Sequence, residues 1–266
     1  MLNKASLALL IHEQAKVYGE KTALSYRDYE TSTWKTISWR QFSDIVACVS
    51  NALLELGVGE QENIGVFTQN KPEGVCVDFG AYGIRAVSIP FYATSSEAQV
   101  QYMINDASVR FVFVGEQCQY DTAFRVLKMC PTLERLVIFD KTVAKNPQDQ
   151  VSMYWDEFLV LGSKLQHAEE VARRAAAVEP DDLVNILYTS GTTGVSKGVT
   201  LTYRMYTAAI PANDKVMDLS EDDVIMCFLP FTHVFERAWS YWCLSRGCHL
   251  AINLRPQDIL MTLREV

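Results

Sequence analysis

The chain has 266 residues, and 49% of them are apolar. A chain of this length and composition can bury a substantial core and is expected to form one or two globular domains. Its 32 acidic residues outnumber its 24 basic ones, which argues against a nucleic-acid-binding protein, because such proteins neutralise phosphates with a basic face.

The first helix is predicted at the N-terminus, where Lys4 is followed by the apolar run 5–11. A secretion signal is disfavoured, since the run is short, lacks a small-residue cleavage site and continues into His12 and Glu13. Elsewhere the sequence contains no stretch of the roughly 20 apolar residues that a membrane-spanning helix requires. We expect a cytoplasmic protein, with any membrane contact peripheral and at the inner membrane face.

Strand and helix patterns alternate from residue 22 to residue 139. Residues that favour strands, at 22–26 and 34–37, flank a polar turn and predict a hairpin. Ser38 with Gln41 forms a capping box, and the apolar residues that follow at helical spacing predict a helix ending at Gly57. The remaining elements of this part are strands at 63–68, 86–89, 110–114 and 135–139, and helices at 72–83, 96–106 and 120–129.

This alternation predicts βαβ crossovers. The expected fold class is therefore α/β, with mostly parallel sheets covered by helices on both faces. A polar loop is predicted at 141–150, and a single helix rich in Ala and Glu at 156–177. The segment 179–182 marks a predicted boundary between an N-terminal α/β subdomain, 1–178, and the start of a second α/β subdomain, 179–266, with strands at 183–188, 224–229 and 249–253.

Seven cysteines are spread along the chain without a Cys-x-x-Cys pair. Cys243, Cys248 and His249 lie close together in sequence, but no second cluster completes a tetrahedral zinc site. The pattern predicts reduced thiols in a cytosolic compartment rather than a disulfide framework or a metal site made of protein ligands.

The segment from Tyr188 to Val199 reads Tyr-Thr-Ser-Gly-Thr-Thr-Gly-Val-Ser-Lys-Gly-Val, and in it a predicted strand runs into a glycine-threonine loop at 189–198. Glycines let backbone amides approach an anion closely, while hydroxyls and a lysine add hydrogen-bond donors and positive charge. The groups come from Gly191, Gly194 and Gly198, from Thr189, Ser190, Thr192 and Thr193, and from Lys197. The loop is therefore predicted to hold the phosphates of a nucleotide.

Two other interpretations of this loop are disfavoured. It is not a Walker A motif, because Ser196 stands where that motif requires the glycine before Lys-Ser/Thr. A flexible interdomain linker would need neither the apolar strand before the loop nor Lys197.

The loop resembles the signature of the adenylate-forming superfamily of acyl-CoA synthetases, luciferases and peptide-synthetase adenylation domains. Segments 69–73, 86–96 and 229–237 resemble its long-chain fatty acid branch in particular. The sequence departs from the family pattern at four positions. These are Gly74, where an aromatic residue is frequent, Ala93 and Ser196, where proline is usual or frequent, and Tyr203, where histidine is common.

The resemblance implies ATP, Mg²⁺ and coenzyme A as cofactors or substrates, and a long-chain fatty acid whose carboxylate attacks the α-phosphate of ATP. Coenzyme A would then displace AMP from the acyl-adenylate. It implies that Thr189 to Thr193 and Lys197 hold the β- and γ-phosphates, and that Thr193 helps to ligate Mg²⁺. The nucleotide-binding segment would comprise Tyr188, Thr189, Ser190, Gly191, Thr192, Thr193, Gly194, Val195, Ser196, Lys197, Gly198 and Val199.

The resemblance also places His233 near the reacting carboxylate and α-phosphate, although a helix-capping or core histidine is an open alternative. With Lys197 and Thr193, His233 completes the predicted catalytic set. Glu236 and Arg237 are interpreted as an ion pair on a helix surface or between subdomains.

The family's adenine-binding Tyr-Gly-x-Thr-Glu segment, its ribose-binding aspartate and its C-terminal lysine domain do not occur in these residues. The chain is therefore expected to be an incomplete N-terminal part, inactive alone, whose missing partner is the C-terminal half of the same enzyme. Two alternatives stay open: an acyl-ACP synthetase or other adenylate-forming ligase, and a non-catalytic module that binds nucleotide or acyl groups.

Overall fold

The computed structural model describes residues 6–189 and 196–266. Strands and helices alternate along most of both parts. The first eleven elements are α1 (Ser6–Tyr18), β1 (Thr22–Asp28), β2 (Thr33–Ser38), α2 (Trp39–Glu55), β3 (Asn63–Phe67), α3 (Pro72–Gly83), β4 (Val87–Phe91), α4 (Glu97–Asp106), β5 (Phe111–Val114), α5 (Gln117–Val126) and β6 (Arg135–Ile138). The next ten are β7 (Met153–Tyr154), α6 (Trp155–Gly162), α7 (Ala168–Ala176), β8 (Leu183–Thr189), β9 (Lys197–Thr202), α8 (Tyr203–Asn213), β10 (Val224–Cys227), α9 (Val234–Ser245), β11 (His249–Ile252) and α10 (Ile259–Glu265).

The strands form two sheets. A seven-stranded sheet has the order β7-β6-β5-β3-β4-β8-β9 and is parallel except for β9, which runs antiparallel to β8. A four-stranded sheet has the order β10-β11-β1-β2, in which β10, β11 and β1 are parallel and β2 closes the predicted hairpin with β1. The predicted α/β fold with mostly parallel, helix-flanked sheets is confirmed.

Local sequence signals account for several helix starts. Ser38 accepts a hydrogen bond from the Gln41 amide while the Gln41 side chain accepts one from the Ser38 amide, and Ser96 and Gln99 repeat the arrangement. Each box satisfies two backbone donors that the first helical turn leaves unpaired. Both predicted capping boxes are thus confirmed.

The single helix predicted at 156–177 is wrong, because the chain forms two helices, α6 and α7, with a break between them. Leu165 in the break has a left-handed φ of 49°. The break lets α6 pack against α2, where a Cβ on Gly162 would overlap the carbonyl oxygen of Cys48. It also lets Arg174 on α7 donate to the Val58 carbonyl at 2.9 Å.

The predicted loop at 189–198 is also too long at its C-terminal end. Lys197 and Gly198 belong to β9, an unpredicted strand, and pair with Thr189 and Tyr188 on β8. The intervening loop residues Ser190, Gly191, Thr192, Thr193, Gly194 and Val195 lie outside the described residues.

Residues on both sides of position 179 contribute to both sheets, since β8 pairs with β4 and β11 pairs with β1. The division into 1–178 and 179–266 stays a prediction. All seven cysteines are free thiols. Along 6–189 and 196–266, no helix combines the length and apolar character needed to span a membrane.

Candidate ligand-binding site

A cavity of about 340 Å³ lies where the two sheets meet. Residues directly after β3, β4, β10 and β11 line it, so the carboxyl ends of parallel strands from both sheets converge there. Examples are Asn70 after β3, Ala93 after β4, Phe228 after β10 and Leu254 after β11. Ligands of open α/β sheets bind outside the carboxyl ends of the strands, and the cavity occupies that position.

Both described ends of the glycine-threonine loop belong to the same edge of the seven-stranded sheet. Strand β8 runs parallel to β4, so Thr189 at its carboxyl end lies at the edge where β4 opens into the cavity. Lys197 pairs directly with Thr189, and both side chains are exposed. The Thr189 hydroxyl and the Lys197 ammonium group thus belong to paired residues at the two described ends of the loop.

Aromatic residues hold these loop ends. The Tyr188 hydroxyl donates to Asp106 Oδ2 at 2.6 Å, and the Tyr102 hydroxyl donates to the Ser196 carbonyl at 3.1 Å. Burial and the hydrogen bond to Asp106 raise the pKa of Tyr188 well above its usual value, so its hydroxyl remains a donor. Gly198 is required by packing, because a Cβ there would lie 2.8 Å from Ile186 Cγ2.

His233 is the N-cap residue of α9, and its Nδ1 accepts a hydrogen bond from the Phe235 amide at 3.2 Å. The side chain is exposed. The two preceding residues, Phe231 and Thr232, line the cavity. His233 is therefore a helix cap next to the cavity wall, and a role for it in a reaction stays a prediction.

Side chains clamp the backbone of the loop that precedes His233. Asn70 donates to the Leu229 carbonyl at 2.8 Å and accepts from the Phe231 amide at 3.1 Å. Glu236 accepts from the Leu229 amide at 3.0 Å, and Arg237 Nε donates to the Phe231 carbonyl at 2.9 Å. The side-chain amide of Asn70 thus bonds two backbone groups two residues apart, as a neighbouring strand would. Leu229 and Phe231 each have both their backbone amide and their carbonyl hydrogen-bonded.

The interpretation of Glu236 and Arg237 as a surface or subdomain ion pair is wrong. Both side chains are buried, and Arg237 Nη1 instead contacts Asp78 Oδ2 at 2.5 Å and the Tyr241 hydroxyl at 2.7 Å. Burial would by itself lower the pKa of Arg237, but Asp78 and neighbouring tyrosines raise it well above its usual value. The charged guanidinium joins α9 to α3 and ties the clamped loop to the core.

The model of a family described as AMP-binding enzyme matches residues 11–264. The chain belongs to the AMP-binding enzyme family. Two curated relatives are long-chain-fatty-acid--CoA ligase 1 from Homo sapiens, 26% identical over 86% of this chain and 34% of the relative, and fatty acyl-CoA synthetase A from Dictyostelium discoideum, 30% identical over 79% and 31%. The chain thus spans about a third of the length of these relatives.

Solved structures of CoA ligases share the fold. The anthranilate CoA ligase AuaEII, solved in complex with anthranoyl-AMP, has a TM-score of 0.84 at 21% identity and covers 97% of this chain and 48% of its own. A long-chain-fatty-acid-CoA ligase (FadD1) from Archaeoglobus fulgidus has a TM-score of 0.79 at 20% identity over 98% and 49%. The predicted resemblance to adenylate-forming enzymes is confirmed at the level of the family.

Three side-chain atoms in the cavity wall have no hydrogen-bond partner among the described residues. They are Thr68 Oγ1, Gln69 Oε1 and Thr232 Oγ1. Buried polar atoms are nearly always paired with protein or water, so unpaired ones at a cavity point to a polar ligand or water. Sequence reasoning missed these residues and the Asn70 clamp, although 69–73 and 229–237 had already been singled out as family-like segments.

Proposed function

We propose that this AMP-binding enzyme uses ATP to activate a long-chain fatty acid to its adenylate, which then reacts with coenzyme A to give acyl-CoA. The observation that carries the proposal is the common sheet edge shared by Thr189, Lys197 and the cavity beside His233. The relatives named as long-chain fatty acid CoA ligases support the choice of substrate. We also propose that the protein is cytoplasmic and that any membrane contact is peripheral.

A carboxylate is already a nucleophile at neutral pH, so the first step needs in-line positioning and charge stabilisation rather than a general base. Exposed Lys197 would stabilise the negative charge on the phosphates as pyrophosphate leaves, and Thr189 would donate a hydrogen bond to them. Mg²⁺, held by ATP and in our proposal by Thr193, would supply further charge neutralisation when bound.

The cap geometry supports a specific chemical role for His233 in this proposal. Because Nδ1 accepts from the Phe235 amide, the neutral ring carries its proton on Nε2, which is then a hydrogen-bond donor. An exposed donor next to the cavity wall would bind an oxygen of the fatty carboxylate or of the α-phosphate. His233 would thereby orient the two reacting groups.

The test uses the protein translated from the complete open reading frame that contains these residues. We expect exchange of pyrophosphate into ATP that requires palmitate, and palmitoyl-CoA formation when coenzyme A is added. Replacing Lys197 by Ala should slow exchange about a hundredfold, whereas Lys215→Ala, at another exposed lysine, should not. Acylation of acyl carrier protein instead of coenzyme A would favour an acyl-ACP synthetase, and the absence of palmitate-dependent exchange would favour a non-catalytic module.

A further inference from the structure

Gly74 is a helical glycine without a conformational or packing requirement. It lies in the first turn of α3 and is not among the residues with positive φ. A Cβ there would meet Thr68 Cγ2 at 3.5 Å and Val66 Cγ1 at 3.6 Å, which are ordinary contacts. By contrast, a Cβ on Gly80 of the same helix would lie 2.7 Å from Val49 Cβ. Since glycine is a poor helix former, its presence at position 74 needs another explanation.

The direction of the missing side chain supplies that explanation. Val66 and Thr68, the neighbours of the hypothetical Cβ, both line the 340 Å³ cavity, as Gly74 itself does. Any side chain longer than alanine at position 74 would therefore extend into the cavity. Glycine therefore keeps this volume open.

The open cavity combines an apolar body with polar groups at its wall. Phe228, Phe231 and Leu254 contribute apolar surface. Thr232 is 7% exposed, and its hydroxyl has no partner within the described residues. Lys71 adds an ammonium group to the wall, 3.8 Å from Glu116. A volume of this size is within the range of small-molecule pockets, and its chemistry matches an apolar chain that ends in a carboxylate.

We propose that Gly74 is a specificity-determining residue, which opens a subsite for the hydrocarbon chain of a carboxylic acid substrate. The assignment of that acid as the substrate of an adenylation reaction rests on the proposed function. The subsite itself does not, because it is argued from the contacts of Gly74 and from the described residues that line the cavity.

Binding of dodecanoate to the 266-residue chain, measured by isothermal titration calorimetry, tests the proposal. We expect wild type and Gly74→Ala to bind dodecanoate at one site. Gly74→Trp should bind it about tenfold or more weakly, because the indole would occupy the space proposed for the hydrocarbon chain. Val160→Trp adds the same side chain at a residue of α6 that is 68% exposed and should bind normally. Dodecanol, which lacks the carboxylate, should bind more weakly than dodecanoate.

A second variant guards against misfolding of Gly74→Trp. Ala93→Phe fills the same cavity from the residues after β4 and should also weaken binding, with both variants checked by urea unfolding. The proposal is overturned when wild-type chain does not bind dodecanoate, or when folded Gly74→Trp and Ala93→Phe bind it as wild type does. Failure of the proposed function is a separate result, since it would appear as absent pyrophosphate exchange in the complete gene product while the binding pattern persisted.

Discussion

The guanidinium of Arg237 and the carboxylate of Asp78 form an ion pair at 2.5 Å, with the two residues only 1% and 2% exposed. The pair connects α9, whose first turn follows His233, to α3, whose first turn contains Gly74. One buried contact therefore links the two sides of the candidate site.

Removing one partner of this pair should be strongly destabilising. Arg237→Met would leave the buried Asp78 side chain without its cationic partner, with hydrogen bonds only from Ser88 and Tyr241, and the free energy of unfolding should fall by about 3–5 kcal/mol. Urea denaturation measures this loss. Arg204→Met is the control, because Arg204 pairs with Asp181 at 2.9 Å on the surface and should change stability little. Equal effects of the two substitutions would contradict the structural role given to Arg237.

The Asn70 clamp should be visible in amide hydrogen exchange. Asn70→Ala removes the acceptor for the Phe231 amide, so that amide should exchange faster, and stability should fall by about 1–3 kcal/mol because backbone groups lose their partners. Asn51→Ala is matched, since Asn51 is also buried and accepts from the His167 amide at 2.7 Å. Asn51→Ala should accelerate hydrogen exchange at the His167 amide and leave exchange at the Phe231 amide unchanged. Unchanged exchange at Phe231 in Asn70→Ala would remove the basis for the clamp.

Two substitutions at His233 separate capping from chemistry. Asparagine is a good N-cap residue, so His233→Asn should keep most of the stability, whereas His233→Ala should lose about 1 kcal/mol. In the complete gene product, both should lower palmitate-dependent exchange by about a hundredfold, because both remove the imidazole donor. Full activity of His233→Asn would show that His233 is only a helix cap.

Replacing two helical glycines by alanine should change the free energy of unfolding in opposite directions. Gly74→Ala should raise the free energy of unfolding by about 0.5–1 kcal/mol, because alanine favours helix and its Cβ has room. Gly162→Ala should lower it by about 1–3 kcal/mol, because its Cβ would overlap the Cys48 carbonyl oxygen and approach Ala52 N to 2.7 Å. Thermal or urea unfolding of the two variants checks both signs, and destabilisation by Gly74→Ala would mean that the cavity wall is closed at that point.

Burial of His249 should make stability depend on pH. Its Nε2 lies 2.7 Å from Ser25 Oγ, and burial lowers its pKa below 6.5. The unfolded chain therefore binds a proton near pH 6.5 that the folded chain does not yet bind, and stability falls as the pH drops from 6.5 to the lower folded value. Urea unfolding should show that the difference in free energy of unfolding between wild type and His249→Gln becomes smaller as the pH falls from 8 to 5. A constant or widening gap would contradict the shift.

The sequence by itself determined the features that depend on near neighbours in the chain. Capping boxes at Ser38 and Ser96 join residues three apart, and helical or strand spacing predicted most elements and the α/β class. The glycine-threonine segment indicated the family, which the comparison confirmed. Even so, the local pattern predicted one helix at 156–177. The residues near Leu165 do not predict the break that allows α6 to pack on α2.

Tertiary structure alone decided which distant residues share a site. Asn70 and Phe231 are 161 positions apart, and they meet only because strand order places the ends of β3 and β10 at the same cavity. The open wall at Gly74 likewise depends on which side chains face it across that junction. Such contacts depend on how two sheets pack, and sheet order brings together segments whose local patterns contain no information about one another.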